Sequence, residues 1–168
     1  KQLVGLYNDI KLVIVGSFED SGNSVATITR SEIESNPNIC YLGKQKDVRP
    51  FMCMSDVFVL PSYREGFGMV LMEAGALEVP CITTDISGCN EIIQDGVNGR
   101  IIPSRNEGAL YDAMKWFYEH RDDEVKEMLH YYGQDTHYET VKEWYDGYRF
   151  GKADVYCPWD VVNYCNDH

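Results

Sequence analysis

Two carboxylates, Glu65 and Glu73, flank the stretch Gly66-Phe67-Gly68 and lie eight residues apart in the chain. An ionised carboxylate accepts hydrogen bonds from two hydroxyls at once, and the free N–H groups at a helix start attract anions. Glycines at such a turn let the backbone come close to a ligand. The combination suits a phosphorylated, hydroxyl-rich ligand. A glycosidase pair is the rival chemistry. It needs carboxyls about 5–5.5 Å apart for retention or about 6.5–9.5 Å for inversion. With a helix starting at Gly68, Glu73 stands more than a turn inside it, at roughly 1.5 Å rise per residue, and Glu65 stands outside. Two ends of one elongated ligand fit that spacing better than two sides of one bond.

The elements that must hold these residues are legible as alternation. Apolar runs at Lys11–Gly16, Ile39–Gly43, Val57–Pro61, Pro80–Thr84 and Gly99–Pro103 read as strands bounded by Gly, Pro, Asp or Asn. Several lack apolar/polar alternation, as expected of strands covered on both faces. Helices are expected at Val25–Ser35, Asp47–Ser55, Gly68–Glu78 and Cys89–Gln94. Apolar positions 110, 113, 114 and 117 place one more over Glu107–Glu119. Strands alternating with helices imply right-handed crossovers and a doubly wound parallel sheet, an α/β Rossmann-like fold. In such a sheet ligands bind at the carboxyl ends of the strands. Those ends carry Gly16-Ser17, Gly43-Lys44, Ser62 to Gly68 and Asp85 to Gly88.

Composition narrows the classes further. An apolar share of 44% in 168 residues supports a core, and a net charge of −12 argues against a nucleic-acid partner or an anionic membrane surface. Six cysteines form no C-x-x-C pair and no zinc-like spacing with the four histidines. Cys40 and Cys81 lie in apolar runs and are expected to act as small buried hydrophobes, and a reduced, cytoplasmic setting follows. No apolar stretch approaches the length of a membrane span. Neither G-x-G-x-x-G nor G-x-x-x-x-G-K-[ST] occurs, which leaves a dinucleotide dehydrogenase or P-loop ATPase without support. The opening Lys1-Gln2 carries no initiator Met or signal-peptide pattern, as a fragment would not.

Phe58-Val59-Leu60-Pro61-Ser62, Glu65-Gly66-Phe67-Gly68, Glu73-Ala74 and Pro80 with Thr84-Asp85 are followed by Gly88, Glu91-Ile92-Ile93, Asp95-Gly96, Asn98-Gly99 and Ile102-Pro103. In order and spacing this series resembles the donor-binding domain of retaining glycosyltransferases of the GT-B fold, over roughly residues 3–120. The resemblance implies an E-x7-E motif in which Glu65, the catalytic candidate, faces hydroxyls of the donor sugar and Glu73 binds the ribose hydroxyls. It implies amides of Gly66, Phe67 and Gly68 for the diphosphate and sugar. Ser62 joins these binding residues, and the turn from Lys44 to Val48 would line the base. The implied partner is a nucleoside diphosphate sugar, UDP- or GDP-linked, with no further cofactor and no metal, in bacterial surface polysaccharide or glycolipid synthesis. Glu91 reads instead as a helix-start acid favoured by the dipole.

The family's first strand, its loop with a diphosphate-neutralising Arg and Lys, and the amino-terminal acceptor-binding domain would all lie before Lys1. Any membrane contact would be peripheral and made through that domain. The chain by itself is expected to bind donor weakly rather than to transfer sugar at a useful rate.

Beyond residues 1–121 the character changes. Residues 122–168 are dense in aromatics, with helices expected at Asp122–Tyr132, Tyr138–Tyr145 and Trp159–Cys165. Val125-Lys126-Glu127-Met128-Leu129, Val141 to Gly151 and Val155-Tyr156-Cys157-Pro158-Trp159 resemble a fragment of bacterial AAA-ATPase-like proteins that carry a PD-(D/E)XK-type nuclease domain. A non-catalytic relic or interaction protein from a gene fusion is the alternative function, with an ATPase- or nuclease-associated module behind it.

Overall fold

The computed structural model describes residues 2–18 and 25–120, with the backbone of 149–150 and 153–154. The chain divides into two compact units, Lys1–Phe51 and Met52–His168.

In the first unit a short helix, α1 (Gln2–Leu6), precedes strand β1 (Leu12–Ile14), helix α2 (Thr27–Ser35) and strand β2 (Ile39–Tyr41). The sequence pattern does not announce α1. β1 and β2 pair in parallel, Leu12 opposite Ile39 and Ile14 opposite Tyr41. Glycines continue the pairing past the strand ends, the Gly16 amide donating to the Gly43 carbonyl at 2.9 Å. The Tyr41 hydroxyl donates to the Gly16 carbonyl at 3.0 Å, and Phe18 lies on the Tyr41 ring at 4.6 Å. Burial is shallow here: Leu3 is the one buried apolar residue among the described residues of this unit, and Leu12 is 45% exposed.

Two expectations are corrected in this unit. β1 and β2 are not covered on both faces, and Cys40 is exposed rather than buried. The physical cause is the period of a strand: Ile39 and Tyr41 turn to the packed side, so Cys40 between them turns away.

Helix α3 (Arg49–Cys53) crosses the boundary between the units. It is shorter than the expected Asp47–Ser55 because Asp47 Oδ1 accepts the Arg49 amide at 3.1 Å, a local turn that competes with helix.

The second unit continues with β3 (Phe58–Leu60), α4 (Met69–Ala76), β4 (Cys81–Thr84), β5 (Gly99–Ile102) and α5 (Glu107–Glu119). Its strands form a parallel sheet in the order β3-β4-β5, with Phe58 opposite Cys81 and Cys81 opposite Gly99. All four residues of β4 are buried, so this central strand is covered on both faces as its unalternating sequence predicts. Ile82, Ile102 and Ala113 form the core of the α5 side, with Val57, Val59, Leu110, Met114 and Phe117 packed around them. The helical period read over 110–117 is therefore the stripe that meets the sheet. Asn106 caps α5, its side-chain oxygen accepting the Ala109 amide at 3.0 Å.

The expected helix Cys89–Gln94 is absent; the segment is a run of turns. The Cys89 amide reaches Ile86, three residues back, while those of Asn90 and Ile93 reach four back. Side chains impose this mixture: Asn90 donates to Asp85 at 2.9 Å, and Asn98 donates to the Ile92 carbonyl while accepting the Gln94 amide. Six residues are too few to offset helix nucleation against such competition. Glu91 is accordingly no helix-start acid; its carboxylate accepts the Ser87 hydroxyl at 3.1 Å.

Residues Arg149–Phe150 and Ala153–Asp154 pair as short antiparallel strands, β6 and β7, in a stretch where the sequence shows no aliphatic strand. The three helices expected between 122 and 168 lie outside the described residues. Among the described residues no helix is long and apolar enough to cross a membrane.

Candidate functional site

The site is built from backbone before side chains. β3 ends at Leu60, and Pro61 to Gly68 turn back into α4 at the carboxyl end of the sheet. Two buried threonines of the neighbouring strand fasten the start of that turn. Thr83 Oγ1 donates to the Leu60 carbonyl at 3.1 Å, and Thr84 Oγ1 donates to the Ser62 carbonyl. Each hydroxyl is thereby satisfied in a buried position, and the bond ties β4 to the start of the turn.

The far end of the turn is fastened by a second loop. The Gly68 amide donates to the Gly88 carbonyl at 2.8 Å. Gly88 has a φ of 84°, and a Cβ there would lie 2.8 Å from the Gly66 carbonyl oxygen and 3.1 Å from that of Glu65. Two glycine-bearing loops are thus laid backbone against backbone, a closeness that a Cβ at Gly68 or Gly88 would disturb.

On this frame Ser62 donates its hydroxyl to Glu65 Oε1 at 2.7 Å, which leaves the other carboxylate oxygen of a half-buried acid for an external hydroxyl. Gly66 and Phe67 are exposed at the crest, Phe67 by 51%. α4 begins at Met69 with Gly68 as its N-cap, so Glu73 is its fifth residue, exposed and about 7 Å along the axis from the cap. Leu71 and Ala74 turn inward and are fully buried, which fixes the rotation that turns Met72 and Glu73 outward.

The expected residues divide between the units. Ser62, Glu65, Gly66, Phe67, Gly68 and Glu73 come together in one turn and the helix it opens. Lys44 belongs to the first unit, exposed after Gly43, whose φ of 63° makes the turn at the end of β2. Gly68 differs from the others in kind. Its amide is already donated to Gly88, so its part is to hold the loops together, and the amides at the crest are those of Gly66 and Phe67. Thr84 and Gly88, already members of the series that carries the resemblance, prove to be supports of the turn, a role their spacing does not reveal. Their signal in the sequence is a hydroxyl at a strand end and a glycine in a polar loop, each common enough to be silent singly.

No cluster of three metal-ligating side chains occurs among the described residues. Asp47, in the first unit's turn, is held down to about 2 by the Arg49 side chain, which donates to it at 2.7 and 2.8 Å, with the Arg49 amide adding to the effect. Burial pushes the Cys81 thiol up to about 11, so it is neutral and unreactive at ordinary pH.

Parallel sheets with intervening helices make this an α/β Rossmann-like fold of the GT-B glycosyltransferase type. Over residues 1–136 the chain matches the family described as glycosyl transferases group 1, and it belongs to that family. The capsular polysaccharide biosynthesis glycosyltransferase CapM of Staphylococcus aureus is 31% identical over 134 residues, 80% of this chain and 34% of CapM. The N-acetyl-alpha-D-glucosaminyl L-malate synthase of Bacillus anthracis is 40% identical over 91 residues, 54% of this chain and 23% of the synthase. The chain thus spans about a third or less of the length of these curated relatives. Among solved structures, the HepE protein of Anabaena in complex with UDP superposes with a TM-score of 0.59 at 21% identity, over 66% of this chain and 32% of HepE. A glycosyltransferase from Rickettsia africae gives 0.60 at 22% identity, over 70% of this chain and 32% of its own.

Proposed function

We propose that this chain carries the donor-nucleotide half of a retaining glycosyltransferase. It takes a nucleoside diphosphate sugar, UDP- or GDP-linked, in the synthesis of a bacterial surface polysaccharide or glycolipid, in a cytoplasmic setting. Glu65 and Glu73 act as an E-x7-E pair: Glu65 receives hydroxyls of the donor sugar at the reacting end, and Glu73 receives the ribose hydroxyls. The amides of Gly66 and Phe67 face the diphosphate, with the positive end of α4 behind them. Ser62 orients Glu65, and Lys44 belongs to the segment that lines the base. Transfer itself needs an acceptor-binding domain supplied outside these residues.

The observation that carries this reading is the turn Ser62 to Gly68: one acid oriented by a hydroxyl, exposed glycine-bearing backbone beside it, and a second exposed acid one helical turn further on. The names of the relatives support the setting, capsular polysaccharide among them, and the UDP in the Anabaena structure supports the ligand class. Titration calorimetry of the chain with UDP and with GDP tests it. Binding in the millimolar range or tighter, reduced by Glu73→Ala, is expected. No heat at millimolar ligand, with no change in the variant, refutes it.

We further read residues 1–121 as the donor domain and 122–168 as a separate piece akin to AAA-ATPase-like proteins with a PD-(D/E)XK-type nuclease domain. The family match runs past that boundary, to residue 136. Removing residues 137–168 is expected to leave UDP affinity unchanged; a lost site would join the tail to the donor domain.

A further inference from the structure

Two exposed side chains meet across the carboxyl end of the β3-β4-β5 sheet. Tyr63, 67% exposed, stands in the β3–α4 turn between Ser62 and Glu65. Arg105 stands in the loop from β5 to α5, directly before the N-cap Asn106. The guanidinium carbon of Arg105 lies 5.3 Å from the centre of the Tyr63 ring, within the range of cation–π attraction.

The contact is not one that neighbouring strands bring about by themselves. β4 separates β3 from β5, so at about 4.8 Å per strand spacing the two loops begin roughly 10 Å apart. Long side chains are needed to close that gap, and a flat cation on a flat ring does so without a buried charge.

The backbone points the same way. Arg105 has a φ of 59°, in the left-handed region that disfavours every side chain with a Cβ. The geometry that brings β5 into the capped start of α5 sets this conformation, and glycine would adopt it freely. Arginine accepts the strain and gains a guanidinium over the turn that bears Glu65. Among the described residues that guanidinium has no hydrogen bond or ion pair, which leaves the ring as its contact.

We infer that Arg105 is a positioning residue for the β3–α4 turn: through Tyr63 it restrains the segment that presents Glu65 and the Gly66 and Phe67 amides to the ligand. This rests on the donor-site reading above. Its physical effect is to lower the ordering cost that an unrestrained loop incurs on binding.

Amide hydrogen exchange and UDP titration on the full chain test it together. The reporters are the Gly68 amide, bonded to Gly88, and the Leu71 amide, bonded to Gly68. Arg105→Gly and Tyr63→Ala should each speed their exchange by about 2- to 5-fold, the range of an exposed cation–π contact, and the double variant no further. Tyr63→Phe should behave as the parent. UDP affinity should fall by the same factor in Arg105→Gly while the melting temperature stays level or rises, because glycine relieves the left-handed strain. Unchanged exchange in Arg105→Gly, additive effects in the double variant, or equal UDP affinity in parent and Arg105→Gly overturns the inference. Accelerated exchange in a chain that does not bind UDP at all keeps the clamp and removes the donor-site reading instead.

Discussion

The contact between the two glycine loops can be broken one methyl group at a time. At Gly88 an alanine would meet two costs. Its φ of 84° lies in left-handed space, worth about 1–2 kcal/mol against a residue with a Cβ. Its Cβ would also stand 2.8 Å from the Gly66 carbonyl oxygen, closer than real Cβ contacts come, and the obstacle is backbone rather than a yielding side chain. Relief requires the loops to separate, which strains the 2.8 Å bond from Gly68 to Gly88 and its roughly 1 kcal/mol. The sum for Gly88→Ala is about 2–4 kcal/mol.

Gly68→Ala keeps only the steric part. Its φ of −74° suits alanine, but its Cβ would lie 2.9 Å from the Gly88 oxygen and 3.0 Å from Leu71 Cδ1, for about 1–2 kcal/mol. Gly66→Ala meets nothing within 4 Å and should stay within about 0.5 kcal/mol of the parent. Urea unfolding followed by circular dichroism ranks the three. With a slope of about 1–2 kcal/mol per molar, Gly88→Ala should lower the midpoint by more than about 1 M. A Gly88→Ala midpoint equal to that of Gly66→Ala would refute the docking of the two loops. Gly68→Ala matching Gly88→Ala would refute the assignment of the extra cost to left-handed strain.

Three further expectations follow from local chemistry. Asn106→Ala removes the cap of α5 and should cost about 1 kcal/mol in the same unfolding assay, while Asn106→Asp should cost little. The Cys81 thiol has its folded value raised to about 11 from 9.0, so its contribution is intact below pH 9 and is lost as pH rises from there toward 11. Native protein at pH 8 should therefore label with a thiol reagent at the exposed Cys40 and Cys53 and not at Cys81 until unfolded. Asp47 has the opposite sign: its carboxylate is favoured above its ordinary 3.8, and the benefit fades as pH falls toward 2. Titration by carboxyl NMR should give a midpoint near 2 in the parent and a higher one in Arg49→Ala, still below the ordinary value because the amide of residue 49 goes on donating to the carboxylate.

The five strands between residues 11 and 103 are each found within the run that predicts them, and α5 coincides with its apolar period. These are features a chain specifies locally: β-rich runs ending at Gly, Pro or Asp, and a stripe recurring every three to four residues. The glycine-flanked acids are also local, which is why Ser62, Glu65, Gly66, Phe67 and Glu73 can be read as one turn. Sequence pattern is blind where competition is settled by side chains distant in the chain. The turns at 89–94 replace a helix because Asn98 and Asp85 reach into them from outside the segment. Cys40 sits in a run as apolar as that of Cys81, yet one is exposed and the other buried.

What the linear chain settled by itself is therefore the alternation of elements and the residue types gathered at one strand end. Tertiary structure alone decided how that end is held: Thr84 on the Ser62 carbonyl, Gly88 beneath Gly66, and Arg105 over Tyr63 across an intervening strand. The reason is distance along the chain. Partners 22 or more residues apart meet only once the sheet has fixed its order, and no local preference for a threonine, a glycine or an arginine encodes that meeting.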